Sequence, residues 1–153
     1  MGNTFRVALC WAGNPNHKND RNRSLTPGAY DMLFDLGARV EFVSVQKGAR
    51  EDEYPAAQTV TVSDYLDTAH VINTCDAVVT VDTSVAHLAG AMGKPTHLLV
   101  AAVPDFRWLI GRPDTPWYDS VRIHRQDAPG TWTSAVASVK QALVEALERR
   151  EAA

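Results

Sequence analysis

Asp82, Thr83, Ser84 and His87 lie within six residues, directly after the apolar, β-branched run 78–81. A strand that runs straight into a helix leaves the first helical amides without partners and gathers the positive end of the dipole there. Such a point receives an anion, above all a phosphate. Asp82, Thr83 and Ser84 are also good N-cap types, so each has a structural use that needs no ligand. His87 sits one turn on, and i, i+4 geometry carries it to the same end as Thr83. The alternative for His87 is a core histidine bonded to backbone.

A second polar group stands far away in sequence. The loop 13–24 holds three cations, Lys18, Arg21 and Arg23, and four asparagines, among them Asn14. Any of the three cations could offset pyrophosphate charge while Asn14 hydrogen-bonds the ligand. The same composition also describes a solvated surface loop. Gln46 and Lys47 close another strand-like run, and Lys47 either meets ligand phosphate or hydroxyl groups or is simply solvated. The aromatic stretches 105–108 and 116–118 could floor a base or sugar pocket, or plug the edge of a sheet.

The elements that must position these residues alternate between strand and helix. Runs 5–11, 40–45, 58–62, 78–81, 96–101 and 121–124 read as strands. Helices are expected from Thr26-Pro27 to Gly37, from Leu66 to Cys75 with Ser63 or Asp67 as cap, from the 82–84 turn to Gly93, and over 133–149. The last is amphipathic, with Val136, Val139, Leu143 and Leu147 on one face. This pattern implies an α/β fold, a Rossmann-like doubly wound parallel sheet of about six strands with helices on both faces. In the common strand order the first and fourth strands are neighbours, and ligands bind at their carboxyl ends. The loop 13–24 and Asp82-Thr83-Ser84 are therefore expected to face each other across one crevice.

Composition narrows the partners. With 153 residues the chain is expected to form one domain over 1–153. A net charge of −3 leaves no excess of Lys or Arg for a nucleic-acid backbone. No 18-residue apolar run or signal-peptide core occurs, so a cytoplasmic protein without a membrane span is expected, with Cys10 and Cys75 reduced and buried. No G-x-G-x-x-G follows the first strand, which disfavours a dinucleotide oxidoreductase. Gly93-Lys94-Pro95-Thr96 imitates the tail of a P-loop but ends a helix instead of starting one. His17, His70, His97 and His124 have no metal-ligand spacing, so no metal site is expected.

The segment from Val81 to Pro95, VDTSVAHLAGAMGKP, resembles the donor-site segment of heptosyltransferase-like (family 9) glycosyltransferases. With WAGNPNHKNDR (11–21), SVQKG (44–48) and WLIGR (108–112), the chain resembles the C-terminal region of bacterial tetratricopeptide-repeat glycosyltransferases. The resemblance runs from about Phe5 to Leu147. It implies the nucleotide-sugar-binding half of a GT-B enzyme, with Asp82, Thr83, Ser84 and His87 on the donor's phosphates and sugar and Lys18 as the nearest match to a phosphate-binding lysine. Ser84 stands where heptosyltransferases usually carry Gly. The donor is then a nucleotide-diphosphate sugar used as substrate, with no cofactor. The acceptor-binding N-terminal half is expected to be absent, leaving the catalytic base unassigned and a partner domain or chain required. A competing expectation is a non-catalytic protein-interaction module on the same fold, with 105–117 as an exposed apolar patch centred on its tryptophans. A flavodoxin-like regulator is disfavoured because no Ser/Thr-rich phosphate loop follows the first strand.

Overall fold

Six parallel strands form one sheet in the order β3-β2-β1-β4-β5-β6. The computed structural model describes residues 4–153. Residues 1–3, where the expected domain begins, lie outside the described residues. The strands are β1 (Phe5–Cys10), β2 (Val40–Ser44), β3 (Gln58–Thr59), β4 (Ala77–Val81), β5 (Thr96–Val100) and β6 (Val121–Arg125). β1 and β4 pair directly, with Val7 opposite Ala77 and Cys10 opposite Thr80. This is the doubly wound order, and its switch point falls between β1 and β4.

Side-chain alternation divides the core between two faces. Val7, Leu9 and Trp11 join Ala77, Val79 and Val81 on one face, under α4 (Thr133–Glu151) and a 3-10 helix (Asp31–Arg39). Ala8, Cys10, Val43, Val45 and Val78 point the other way, against Ile72 of α2 (Tyr65–Asn73) and Val85 and Ala89 of α3 (Ser84–Ala91). A third cluster joins Ala86 of α3 to Leu98, Val100, Val121, Ile123 and Trp108. Both faces are covered, which is why β4 reads as an unbroken apolar run.

Several boundaries depart from expectation for local reasons. The helix expected from Thr26-Pro27 is a turn, because Gly28 takes φ 80° and leaves the right-handed helical region at once. The 3-10 helix that follows buries Leu33 and Leu36, a spacing of three that suits its period, and it kinks at Gly37 (φ 59°). The third strand shortens to two exposed edge residues paired with Val43 and Ser44. Asp64, not Ser63 or Asp67, caps α2. Its carboxylate accepts from the Asp67 amide at 2.9 Å, while the Asp67 carboxylate accepts from the Ser63 amide at 2.9 Å. The pair resembles a capping box, but the return bond goes to the residue before the cap and not to the cap itself. The loop 13–24 contains one helical turn, α1 (Asp20–Arg23). Among the described residues no helix is long and apolar enough to cross a membrane.

Candidate functional site

At the carboxyl ends of β1, β2 and β4 the surface opens into a cleft of about 800 Å³. Cys10, Val45, Val62 and Val85 give it an apolar lining, and Asn14, Lys47, Ser63 and Ser84 place polar groups around it. The loop after β1 and the start of α3 do meet here. Arg23 Nη1 donates to the Asp82 carbonyl at 2.9 Å, across 59 residues of sequence. Its Nε donates to Asp20 Oδ1 at 3.1 Å, and Ser24 Oγ donates to the same oxygen at 3.0 Å while accepting from the Gly13 amide at 2.9 Å. This network sits directly on Gly13, where a Cβ would lie 2.6 Å from both Arg23 Cζ and Asp20 Oδ1. Gly13 is therefore the space that lets Arg23 reach β4.

Gln46 is a bracket between the ends of β1 and β2. Its side-chain oxygen accepts from the Trp11 and Ala12 amides, both at 2.9 Å, and its nitrogen donates to the Ala12 and Lys47 carbonyls at 3.0 and 2.9 Å. Buried backbone groups at the end of β1 would otherwise lack partners. Lys47 Nζ donates to the Val62 carbonyl, tying the chain after β2 to the far wall of the cleft. Trp11 is anchored from behind: its Nε1 donates to the Arg50 carbonyl at 3.0 Å, and its ring meets Tyr54 edge-on at 4.8 Å. Tyr30 Oη donates to the Cys10 carbonyl at 3.0 Å. Burial pushes the Tyr54 hydroxyl up to about 12 and raises the Cys10 thiol as well, so both stay protonated at neutral pH. Cys10 is thus a packing group on the cleft floor and not a thiolate.

α3 begins at this point with its amides open. Thr83 is the N-cap residue, but its side chain makes no capping bond. Its hydroxyl turns inward to the Val81 carbonyl and Thr80 Oγ1, each at 3.4 Å. The Ala86 amide donates to the Thr83 carbonyl at 3.0 Å, while the amides of Ser84 and Val85, both cleft-lining residues, have no hydrogen-bond partner among the described residues. His87 lies on the other flank of the same helix start. Its Nδ1 is 2.9 Å from Tyr118 Oη, and its ring stacks on Trp108 at 5.3 Å and 26°.

The stretch that supplies these groups is also the stretch with recognisable relatives. Residues 64–135 match glycosyltransferase family 9 (heptosyltransferase). The family 9 segment covers just under half of the chain and contains β4, α3 and the residues around His87. The chain is also similar in fold to E. coli heptosyltransferase WaaC with ADP-2-deoxy-2-fluoro heptose (TM-score 0.62, 16% identity, covering 95% of this chain and 44% of that one). E. coli ADP-heptose lps heptosyltransferase II gives a TM-score of 0.59 at 17% identity, covering 99% and 49%. E. coli heptosyltransferase WaaC with ADP gives 0.60 at 17% identity, covering 92% and 43%. The chain spans less than half the length of each of these structures. No curated protein matches it.

Of the expected site residues, Asn14, Gln46, Lys47, Thr83 and Ser84 line the cleft. Asp82, just after β4, and His87, in α3, lie outside its lining, as do Lys18 and Arg21. The loop cation that reaches the β4–α3 junction is Arg23. Gln46 has its amide committed to backbone. Tyr118, which holds His87, carried no signal beyond an aromatic in an irregular segment. Among the described residues no group of three or more His, Cys, Asp or Glu is placed to hold a metal.

Proposed function

We propose that this chain binds the nucleotide diphosphate of a sugar donor and serves as the donor-binding part of a glycosyltransferase. The juncture of Arg23 with the Asp82 carbonyl and the open amides of Ser84 and Val85, the last three inside the family 9 segment 64–135, carries this reading. The base and ribose would occupy the cleft between Val45, Val62 and Val85, and the diphosphate would lie at the start of α3. Asn14 and Lys47 would contact the nucleotide from opposite walls. Asp82 and His87 would reach the donor's phosphates and sugar, and Lys18 and Arg21 would add charge at the rim. In the transfer the bond from the anomeric carbon to the diphosphate oxygen breaks, and an acceptor oxygen bonds to that carbon. The leaving diphosphate gathers negative charge, which the amides and dipole of α3 and the Arg23 guanidinium stabilise without a metal or cofactor. The acceptor and the base that takes its proton would come from a second half, in keeping with solved structures of more than twice the covered length.

Titrating the chain with ADP-, UDP- and GDP-sugars and following backbone amide NMR signals tests this. Shifts concentrated at 13–18 and 83–87 are expected with one of them, and no shift there with any of the three rejects the reading.

One observation favours a second reading, a non-catalytic docking module. Val103, Phe106, Ile110 and Trp117 are between 62% and 81% exposed and follow one another in the segment after β5. Trp108, expected at the centre of that surface, is instead fully buried. Light scattering of the chain with Phe106→Asp and Ile110→Asp separates the readings: a module that docks through this strip loses its association, while donor binding is unaffected.

A further inference from the structure

The segment between β5 and β6 does more than cover the sheet: it grips one ring of the proposed donor site. Tyr118 Oη lies 2.9 Å from His87 Nδ1, and the two rings meet edge-on at 5.8 Å and 65°. Trp108, fully buried, stacks on the same imidazole. Both contacts require construction elsewhere. Tyr118 lies so close to α3 that a Cβ on Gly90 would fall 2.5 Å from its Cγ. Trp108 is followed by Leu109 at φ 56°, a conformation that non-glycine residues adopt only where their surroundings demand it. Arg125 supplies part of that demand, donating from Nη2 to the Trp108 carbonyl at 2.8 Å and to the Arg112 carbonyl at 3.3 Å. Imidazole Nε2 has no hydrogen-bond partner among the described residues.

Resting on the donor-binding reading, we infer that Tyr118 is a positioning residue that holds the His87 ring in one orientation and one tautomer. A phenol is the stronger donor and a neutral imidazole nitrogen the stronger acceptor, so Tyr118 O–H donates to Nδ1. The ring proton then resides on Nε2, the nitrogen left open to a ligand oxygen. His87 therefore presents its Nε2–H to the donor. Trp108 and Tyr118 prevent the ring from flipping to exchange its nitrogens.

Long-range nitrogen–proton NMR of the His87 ring tests this on the chain without ligand. The wild type is expected to show Nε2 protonated and Nδ1 bare, and Tyr118→Phe, which keeps the ring against Gly90, is expected to shift the pattern toward a tautomer mixture. The same ring pattern in both proteins overturns the inference. With ADP as probe, Tyr118→Phe is expected to weaken binding about tenfold, the worth of one buried hydrogen bond. In a His87→Ala background the Tyr118→Phe effect is expected to vanish, and an undiminished effect there overturns action through His87. If ADP leaves the wild type unmoved, the donor reading falls for that nucleotide, while the ligand-free ring spectra still decide the tether.

Discussion

Gly13 and Gln46 show how single residues shape this cleft through the backbone around it. Gly13→Ala is expected to push Arg23 away from the Asp82 carbonyl, because the guanidinium and Asp20 already occupy the space of a methyl group. Overpacking of this kind costs about 1–3 kcal/mol, and a lowered urea midpoint with weakened nucleotide binding would report it. Gln46→Ala leaves the Trp11 and Ala12 amides without an acceptor. A loss of about 3 kcal/mol is expected, read as a drop in urea midpoint at unchanged m-value. A Gln at the end of a strand reads in sequence as a ligand contact as readily as a bracket. Only the four distances to backbone atoms distinguish the two.

At the scale of elements, β5, β6 and α4 are tied by a polar chain inside apolar packing. His97 Nδ1 lies 3.1 Å from His124 Nε2, and His124 Nδ1 lies 2.8 Å from Ser138 Oγ. Burial, with Arg122 and Arg149 nearby, lowers His97 to about 4; burial, then His97 and Arg122, lowers His124 to about 3. The folded state therefore holds both rings neutral while the unfolded chain protonates them near 6.5. Between those values the unfolded state binds more protons, so stability is complete above about pH 6.5 and falls as pH drops toward 4 and then 3. Urea midpoints measured from pH 7 to pH 4 should decline, and His124→Gln should flatten the decline. The segment after β5 makes a second case. Trp108→Ala is expected to cost about 3–5 kcal/mol, as for any buried aromatic emptied from a core, with no change in association state. These histidines read as scattered in sequence because β5 and β6 are 20 residues apart between their ends, and only sheet register brings them together.

At the scale of the whole molecule, the carboxyl ends of β1, β2 and β4 and the start of α3 make one cleft from segments spread over 10–85. A ligand that binds there and not to the unfolded chain raises the melting temperature. At a hundred times its dissociation constant the nucleotide sugar should add about 2.7 kcal/mol, and a thermal scan with each donor class checks this. The sheet order was legible in advance, since strand–helix alternation leaves few right-handed, parallel arrangements. The switch point followed from that order, and with it the meeting of loop 13–24 and Asp82.

Backbone periodicity and punctuation by Gly and Pro thus settled the fold and the place of the crevice, because both are properties of a residue and its near neighbours. The side chains that build the crevice answer to contacts between distant segments. Three cations in one polar loop were equivalent in sequence; the space above Gly13 selected Arg23. Two tryptophans in one irregular stretch were equivalent too, yet Trp108 packs under His87 and Trp117 lies at the surface. Those choices depend on volume and hydrogen-bond geometry across the fold, and only the tertiary structure decided them.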